Sequence, residues 1–300
     1  MRFFVAIFTL FLCCCGQVDS QEQGGQKTTA SPDTVLQDED IGCANNYSWT
    51  DTYDATNTLS RRIPPPGSYI RTETKDSSFA GWLRCLPLKK KGTKVLLYNG
   101  EFKSNQWAHH AVVDMDVGKK DLQQCADAVI RIRAEYLFAM DAHHLINFNF
   151  TSGDNAAYNF WKHGHRPIIS NNNVSWQKQA DIDESYENFR DFLDVVFTYA
   201  GTASLSKELN IVNYADMQIG DLFIQGGFPG HAVLVIDMAE NPQTGEQLFL
   251  LAQSYMPAQE FHILVNPNNL KLSPWYSLNA DAEILDTPEW TFSTSDLKRF

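Results

Sequence analysis

Three apolar segments separated by short turn signals constrain the fold of this 300-residue chain more than any other feature. They occupy residues 219–224, 231–237 and 248–254, and each has the length and composition of a buried strand. A Gly-Gly-Phe-Pro-Gly sequence at 226–230 joins the first two, and Asn-Pro-Gln-Thr-Gly at 241–245 closes the last pair. Because connections this short only allow antiparallel neighbours, the sequence predicts an antiparallel sheet.

A lone cysteine lies near the start of the clearest helix in the sequence. Residues 121–140 repeat apolar side chains at helical spacing, with Asp121 predicted as the N-cap and Gln124 in the capping-box position. Cys125 falls on an apolar stripe of this helix. We therefore expect an α+β fold, a single domain in which the helix carrying Cys125 packs against the antiparallel sheet.

The types and positions of two residues indicate a thiol site. Cys125 stands at a helix start, where free N–H groups and the positive end of the helix dipole favour a thiolate. His231 begins a predicted strand and is the matching base. The competing interpretation is structural, with Cys125 as a small buried apolar residue and His231 as a hydrogen-bonded strand histidine.

A third polar residue is expected beside the histidine. If Asp237 pairs with Leu248 across the hairpin, Ser254 lies opposite His231, and a slip of one residue places Gln253 there. A catalytic triad needs such a group to orient the imidazole. Gln253 and Ser254 are therefore both candidate site residues.

The amino terminus predicts export and a lipid anchor. Residues 1–15 combine Arg2 with an apolar run that is too short to span a bilayer, and they end in three cysteines. This pattern resembles the bacterial lipobox, with Cys15 as the lipidated residue, although an ordinary cleaved signal peptide remains open. We expect residues 16–45 to form a disordered polar tether and residues 46–300 to form the single domain. The expected location is the cell envelope, on the periplasmic or surface face of a membrane.

The net charge of the chain narrows the possible partners. The 36 acidic and 24 basic residues give a net charge of −12, which argues against nucleic acid as a partner. The membrane and a peptide or cell-wall fragment are the expected partners.

If the anchor uses one of residues 13–15, Cys43, Cys85 and Cys125 remain, and three thiols hold at most one internal disulfide. Cys43 with Cys85 is the plausible bridge, with connectivity left open.

Rival chemistries have weaker signals. Histidine pairs at 109–110 and 143–144, and His163 and His165, offer metal ligands, but adjacent histidines point to different sides and no HExxH spacing occurs. No metal or cofactor is therefore expected. Asp114 with Asp116 and the pair at 181 and 183 would suit a glycosidase only at a separation that the sequence does not fix. The 7 Trp, 11 Tyr and 19 Phe residues are compatible with a non-catalytic binding module for peptides or glycans.

Several segments resemble an uncharacterised family of bacterial lipoproteins, domain-of-unknown-function family 4846. They lie at residues 81–84, 121–136, 220–237, 250–260 and 273–276. The resemblance covers nearly all of residues 46–300 and implies no particular reaction.

A more distant resemblance implies a function. The start of the predicted helix at Cys125 and the strand at His231 are similar to those of transglutaminase-like cysteine peptidases and cell-wall peptidases of the NlpC/P60 kind. The order of site residues in those families implies Cys125, His231 and Gln253, although the third residue is usually Asp in the transglutaminase-like enzymes. Gln124 resembles an oxyanion-hole glutamine. The resemblance thus implies that the single α+β domain is papain-like. It also implies a thiol hydrolase or amidase that acts on peptide amide bonds in the cell envelope.

Overall fold

An antiparallel sheet of nine strands occupies the centre of the part of the chain that the structure describes. This structure is a computed structural model, and it describes residues 43, 47–170 and 173–300. The predicted leader, the lipidation site Cys15 and most of the predicted tether lie outside the described residues. Within the described residues, no helix has the length and apolar character needed to cross a membrane.

The strands are numbered along the chain. Their bounds are Ile70–Arg71 (β1), His109–Val112 (β2), Asn147–Asn149 (β3), Asn155–Ala157 (β4), His165–Ser170 (β5), Asn173–Lys178 (β6), Asn210–Ile211 (β7), Leu222–Gln225 (β8), His231–Glu240 (β9), Gln247–Gln253 (β10), His262–Leu264 (β11), Tyr276–Leu278 (β12), Ile284–Asp286 (β13), Thr291–Ser293 (β14) and Leu297–Arg299 (β15). The main sheet runs in the order β2-β11-β10-β9-β8-β15-β7, with β1 beside β9 and β12 beside β10. Three separate hairpins pair β3 with β4, β5 with β6 and β13 with β14.

The α-helices lie around this sheet. Their bounds are Leu59–Arg62 (α1), Phe79–Arg84 (α2), Cys125–Ala139 (α3), Tyr158–Lys162 (α4), Tyr186–Tyr199 (α5) and Thr202–Glu208 (α6). Short 3₁₀ turns cover Gln106–Ala108, His143–Leu145, Tyr214–Asp216 and Thr294–Asp296. The prediction of an α+β fold with an antiparallel sheet is confirmed.

The two faces of the sheet belong to two different apolar cores. Side chains alternate along β9, so Ala232, Leu234 and Ile236 pack with α3 and the other helices. Val233 and Val235 pack on the opposite face, in a second core that also contains Phe292 from β14. This alternation decides where the polar residues at the end of the sheet point.

The predicted register of the central hairpin is wrong. Asp237 pairs with Leu250 and not with Leu248, and the register shifts by one residue between Leu250 and Leu251. The shift is a β-bulge, because Val235 pairs with Leu251 and Ile236 is left as the extra residue. A bulge has no signal in the apolar pattern that could have predicted it.

The predicted N-cap of the cysteine helix is also wrong, by three residues. The helix begins at Cys125 with Gln124 as its N-cap. The Asp121 carboxylate instead accepts hydrogen bonds from the Ala258 backbone N–H at 2.7 Å and the Gln124 side chain at 3.1 Å. A tertiary contact therefore uses the group that sequence reasoning assigned to the cap.

A disulfide joins Cys43 to Cys85, with 5.4 Å between their Cα atoms. Cys125 is the free cysteine among the described residues, and it is buried. The bridge ties the start of the described chain to the end of α2.

Candidate functional site

Cys125 occupies the first position of α3. The Asp127 carboxylate accepts a hydrogen bond from the backbone N–H of Gln124 at 3.1 Å. A side chain of the first helical turn therefore caps the start of the helix. Only 7% of Cys125 is exposed. The helix start places the thiol among free backbone N–H groups, as expected, but in a closed setting.

The closed setting keeps the thiol protonated. Burial raises the pKa of Cys125 to about 11, with a smaller contribution in the same direction from the charge that Asp127 carries once it is ionised. The backbone N–H groups of Ala126, Ala232 and Cys125 itself act in the opposite direction on this pKa. The sulfur therefore lies beside the backbone of Ala232, the residue that follows His231. Burial raises the pKa of the thiol by more than the N–H groups at the helix start lower it.

Two glycines shape the loop that leads to His231. A Cβ atom on Gly226 would lie 2.0 Å from the Ser206 hydroxyl oxygen, and one on Gly230 would lie 2.5 Å from that of Thr202. Thr202 and Ser206 belong to α6, which packs against this loop. The loop exposes Phe228, which is 95% accessible to solvent, immediately before the buried end of β9.

A chain of polar side chains holds His231. Its ring Nε2 lies 2.7 Å from the Oε1 atom of Gln253, the last residue of β10. Gln253 Nε2 donates to Glu289 at 2.8 Å, and Lys103 Nζ lies 2.7 Å from both oxygens of Glu289. Asn105 also donates to Glu289, at 3.1 Å. Each member contacts the next, so the imidazole is linked to a largely buried ion pair.

Aromatic rings enclose the imidazole. The ring centroids of Tyr255, Trp290 and Phe292 lie 4.7, 5.4 and 5.9 Å from that of His231. Burial lowers the pKa of His231 to about 4, although its hydrogen bond to Gln253 acts in the opposite direction. The ring is therefore neutral at pH 7.

Cys125 and His231 approach the same end of the sheet from different sides. The His231 ring lies with Phe292 on the face of the second core, whereas α3 packs on the other face. Tyr255 is their common neighbour. Its ring contacts His231, and burial raises the pKa of Tyr255, with smaller contributions from Glu289 and from Cys125 in its ionised form. Among the side-chain hydrogen bonds of the described residues, none joins the Cys125 sulfur to the His231 ring.

The structure separates the two candidates for the third group. Gln253 contacts the imidazole, whereas Ser254 points to the helix side of the sheet. The Ser254 hydroxyl lies 3.1 Å from the Gln123 carbonyl and 2.8 Å from that of Gln259. Ser254 therefore ties the end of β10 to the residues before Cys125 and does not contact the ring.

Gln124, the residue suggested for an oxyanion hole, is the N-cap of α3. Its side-chain Nε2 donates to Asp121 at 3.1 Å. An oxyanion-hole role would require this amide to leave Asp121, so the catalytic assignment of Gln124 stays a prediction.

Comparison with known proteins identifies the family. The model of the family described as a domain of unknown function (4846) matches residues 59–299. The chain belongs to this family. No curated protein and no solved structure matches the chain. Since the description of the family assigns no reaction, any function of this member has to be argued from the site.

Sequence reasoning missed Lys103, Asn105 and Glu289 in this family member. Lys103 and Glu289 are 186 positions apart and lie in segments without a recognisable motif. Lys103 lies in the loop before β2 and Glu289 in the turn between β13 and β14. The only available signal is that Glu289 directly precedes Trp290 and the apolar Phe292, which is too common a pattern to indicate a site.

The described residues contain no group of three or more histidine, cysteine or acidic side chains placed to hold a metal ion. Two open cavities, of about 610 and 300 Å³, lie along α5 and the segment at 116–123. Neither of these two cavities is lined by Cys125, His231 or Gln253. They adjoin the segment that leads into Cys125 from its amino-terminal side.

Proposed function

We propose that this protein is a thiol-dependent hydrolase of peptide amide bonds in the cell envelope. The observation that carries the proposal is the imidazole of His231, which Gln253 orients beside the strand backbone that the Cys125 sulfur approaches. A cysteine at a helix start, a histidine on a strand and a polar residue on the next strand are the parts of a papain-like arrangement.

The chemistry uses the neutral forms of both groups. Cys125 attacks the amide carbonyl carbon, and its proton moves to His231 as the carbon–sulfur bond forms. His231 then gives this proton to the departing amine as the carbon–nitrogen bond breaks, which leaves a thioester. Water attacks the thioester, His231 takes a proton from the water and returns it to the sulfur, and a carboxylic acid is released.

The resting site requires a rearrangement before this reaction. With the pKa of Cys125 at about 11 and that of His231 at about 4, neither group is charged at pH 7. Both are also buried. Movement of the exposed loop at 226–230, or of the segment that carries Tyr255, would open the end of the sheet to substrate. The exposed Phe228 and the half-exposed Met256 provide apolar contacts at this opening.

The charge of the protein favours certain substrates. A net charge of −12 repels polyanions, whereas neutral or amine-bearing peptides approach more easily. Cross-linking peptides of the cell wall have this character and share the compartment that the amino terminus predicts. We therefore propose wall peptides as the first substrates to test.

Mass spectrometry of purified wall peptides incubated with the protein tests the proposal. The wild type should release products that Cys125→Ala and His231→Ala do not. His144→Ala removes an exposed histidine and serves as the matched control, with products equal to those of the wild type. Identical product patterns for the wild type and Cys125→Ala would eliminate the thiol mechanism for these substrates.

A specific observation favours a second candidate, a non-catalytic binding module. The thiol and the imidazole are both buried and neutral, and no hydrogen bond between them is present among the described residues. A binding module retains ligand affinity when Cys125 is replaced by Ala, and it shows no turnover. Calorimetric titration of the same peptides into the wild type, followed by mass spectrometry of the recovered peptide, distinguishes the two candidates: binding with intact peptide supports the binding module, and cleaved peptide supports the hydrolase.

The lipid anchor also remains a proposal. The apolar run, the cysteines at 13–15 and the polar tether support attachment to an envelope membrane through Cys15. Replacing all three cysteines by Ser should convert a membrane-associated protein into a soluble exported one. Continued sedimentation with membranes would contradict lipidation at this cluster.

A further inference from the structure

We propose that Glu289 and Lys103 are positioning residues that hold His231 in the tautomer with its proton on Nε2. This role deepens the proposed function, because it leaves Nδ1 unprotonated as the atom that accepts the thiol proton. No contact between either residue and a reacting atom is required.

The ion pair fixes the orientation of the Gln253 amide. A carboxylate accepts hydrogen bonds and has no proton to donate, and Lys103 contacts both oxygens of Glu289 at 2.7 Å. The Gln253 group that lies 2.8 Å from Glu289 must therefore be the NH₂ group. The amide oxygen of Gln253 then faces His231.

The orientation of the amide fixes the tautomer of the histidine. The Gln253 oxygen lies 2.7 Å from His231 Nε2, and an oxygen acceptor requires a donor opposite it. Nε2 therefore carries the proton. In a neutral imidazole the other nitrogen, Nδ1, then has a free lone pair, which is what a general base needs.

Lys103 acts on the site in a second way. Its ammonium group lies 5.2 Å from the centre of the Tyr255 ring, and that ring lies 4.7 Å from the His231 ring. Lys103 thus supports both the polar chain and one aromatic wall of the imidazole. The Lys103 side chain is 4% exposed and the Glu289 side chain 13%, so water competes little for their contacts.

Nitrogen NMR of the full-length protein labelled with ¹⁵N-histidine tests the proposal. Two-bond ¹H–¹⁵N correlations distinguish protonated from unprotonated ring nitrogens, and His231→Gln identifies the signals of this residue. In the wild type we expect at least a ten-fold preference for the Nε2–H form, because the reversed amide would lose a hydrogen bond to a charged group. A dominant Nδ1–H form in the wild type would overturn the proposal, and this outcome does not depend on any variant of Glu289.

Glu289→Gln tests the source of the preference. A glutamine at 289 can donate or accept, so the Gln253 amide can reverse, and we expect the tautomer preference to fall about ten-fold or more. Glu260→Gln is the matched control, since Glu260 also pairs with a lysine, Lys89, in the neighbouring loop. An unchanged ratio in Glu289→Gln, or an equal fall in Glu260→Gln, would overturn the proposal. If Glu289→Gln does not fold, the wild-type spectrum decides.

The spectroscopic result separates this inference from the hydrolase proposal. If the protein has no amidase activity but shows the expected tautomers, the positioning role stands and the proposed reaction fails. If the protein is active, Glu289→Gln should lower kcat at least ten-fold with little change in KM, because general-base catalysis contributes about 10²-fold to 10⁴-fold. Activity without the tautomer preference would leave the hydrolase intact and overturn the positioning role.

Discussion

Slow alkylation of Cys125 is a direct consequence of its burial. With a pKa of about 11, about 0.03% of the thiol is ionised at pH 7.5, compared with about 10% of an unperturbed cysteine of pKa about 8.5. Ionisation alone therefore slows the reaction about 300-fold. The thiolate of a weaker acid is the better nucleophile, which raises the reaction rate of the ionised form about ten-fold. We expect Cys125 to react with iodoacetamide at least about 30-fold more slowly in the folded protein than in the unfolded chain, and restricted access adds to this factor.

Peptide mapping by mass spectrometry measures this ratio. The full-length protein is pulsed with iodoacetamide at pH 7.5, both folded and in urea, and the Cys125 peptide is quantified in each sample. The cysteines at 13–15 fall in a different peptide, and Cys43 and Cys85 are joined as a disulfide. The unfolded sample supplies the reference rate for the same residue.

The pH profile gives the strictest form of this test. The alkylation rate of folded Cys125 should still rise about ten-fold between about pH 9 and about pH 10, where the unfolded thiol has levelled off. A folded rate within about three-fold of the unfolded rate, or a plateau below pH 8, would refute the argument from burial. Such a result would instead indicate an activated thiolate in the resting protein.

Three further predictions concern stability. Burial raises the pKa of Asp127 to about 8 from its ordinary value near 3.8, so its neutral form stabilises the fold below about pH 4 and that stability is lost as the pH rises through about 8. Urea unfolding should therefore show Asp127→Asn gaining stability over the wild type between pH 5 and pH 9, and a constant difference would contradict this. Asp237→Asn removes the carboxylate from two buried arginines and should cost about 3 to 5 kcal/mol of unfolding free energy. Glu184→Gln breaks an exposed ion pair with Lys162 and should leave the unfolding free energy nearly unchanged. Gly230→Ala forces a Cβ to within 2.5 Å of its neighbours and should cost about 1 to 3 kcal/mol, whereas Gly67→Ala, with nothing within 4 Å, should be nearly neutral; equal effects would contradict the packing argument.

Local patterns in the sequence determined much of the fold. Strands β9 and β10 and the helix that carries Cys125 follow from apolar periodicity, because each pattern depends on residues that are close in sequence. Their placement near residues 231, 247 and 125 needed no tertiary information. The disulfide partner of Cys43 was only a plausible choice, since counting cysteines limits the number of bridges without fixing their ends.

Only the tertiary structure decided the chemistry at the end of the sheet. The bulge at Ile236 changed the register of the hairpin, and strand alternation then placed Gln253 beside His231 and Ser254 on the other face. Glu289 and Lys103 reach this site from segments 186 positions apart. Burial also reversed the expected character of Cys125, since the sequence supplies the helix start that favours a thiolate, whereas the packed neighbours that raise its pKa come from the whole fold.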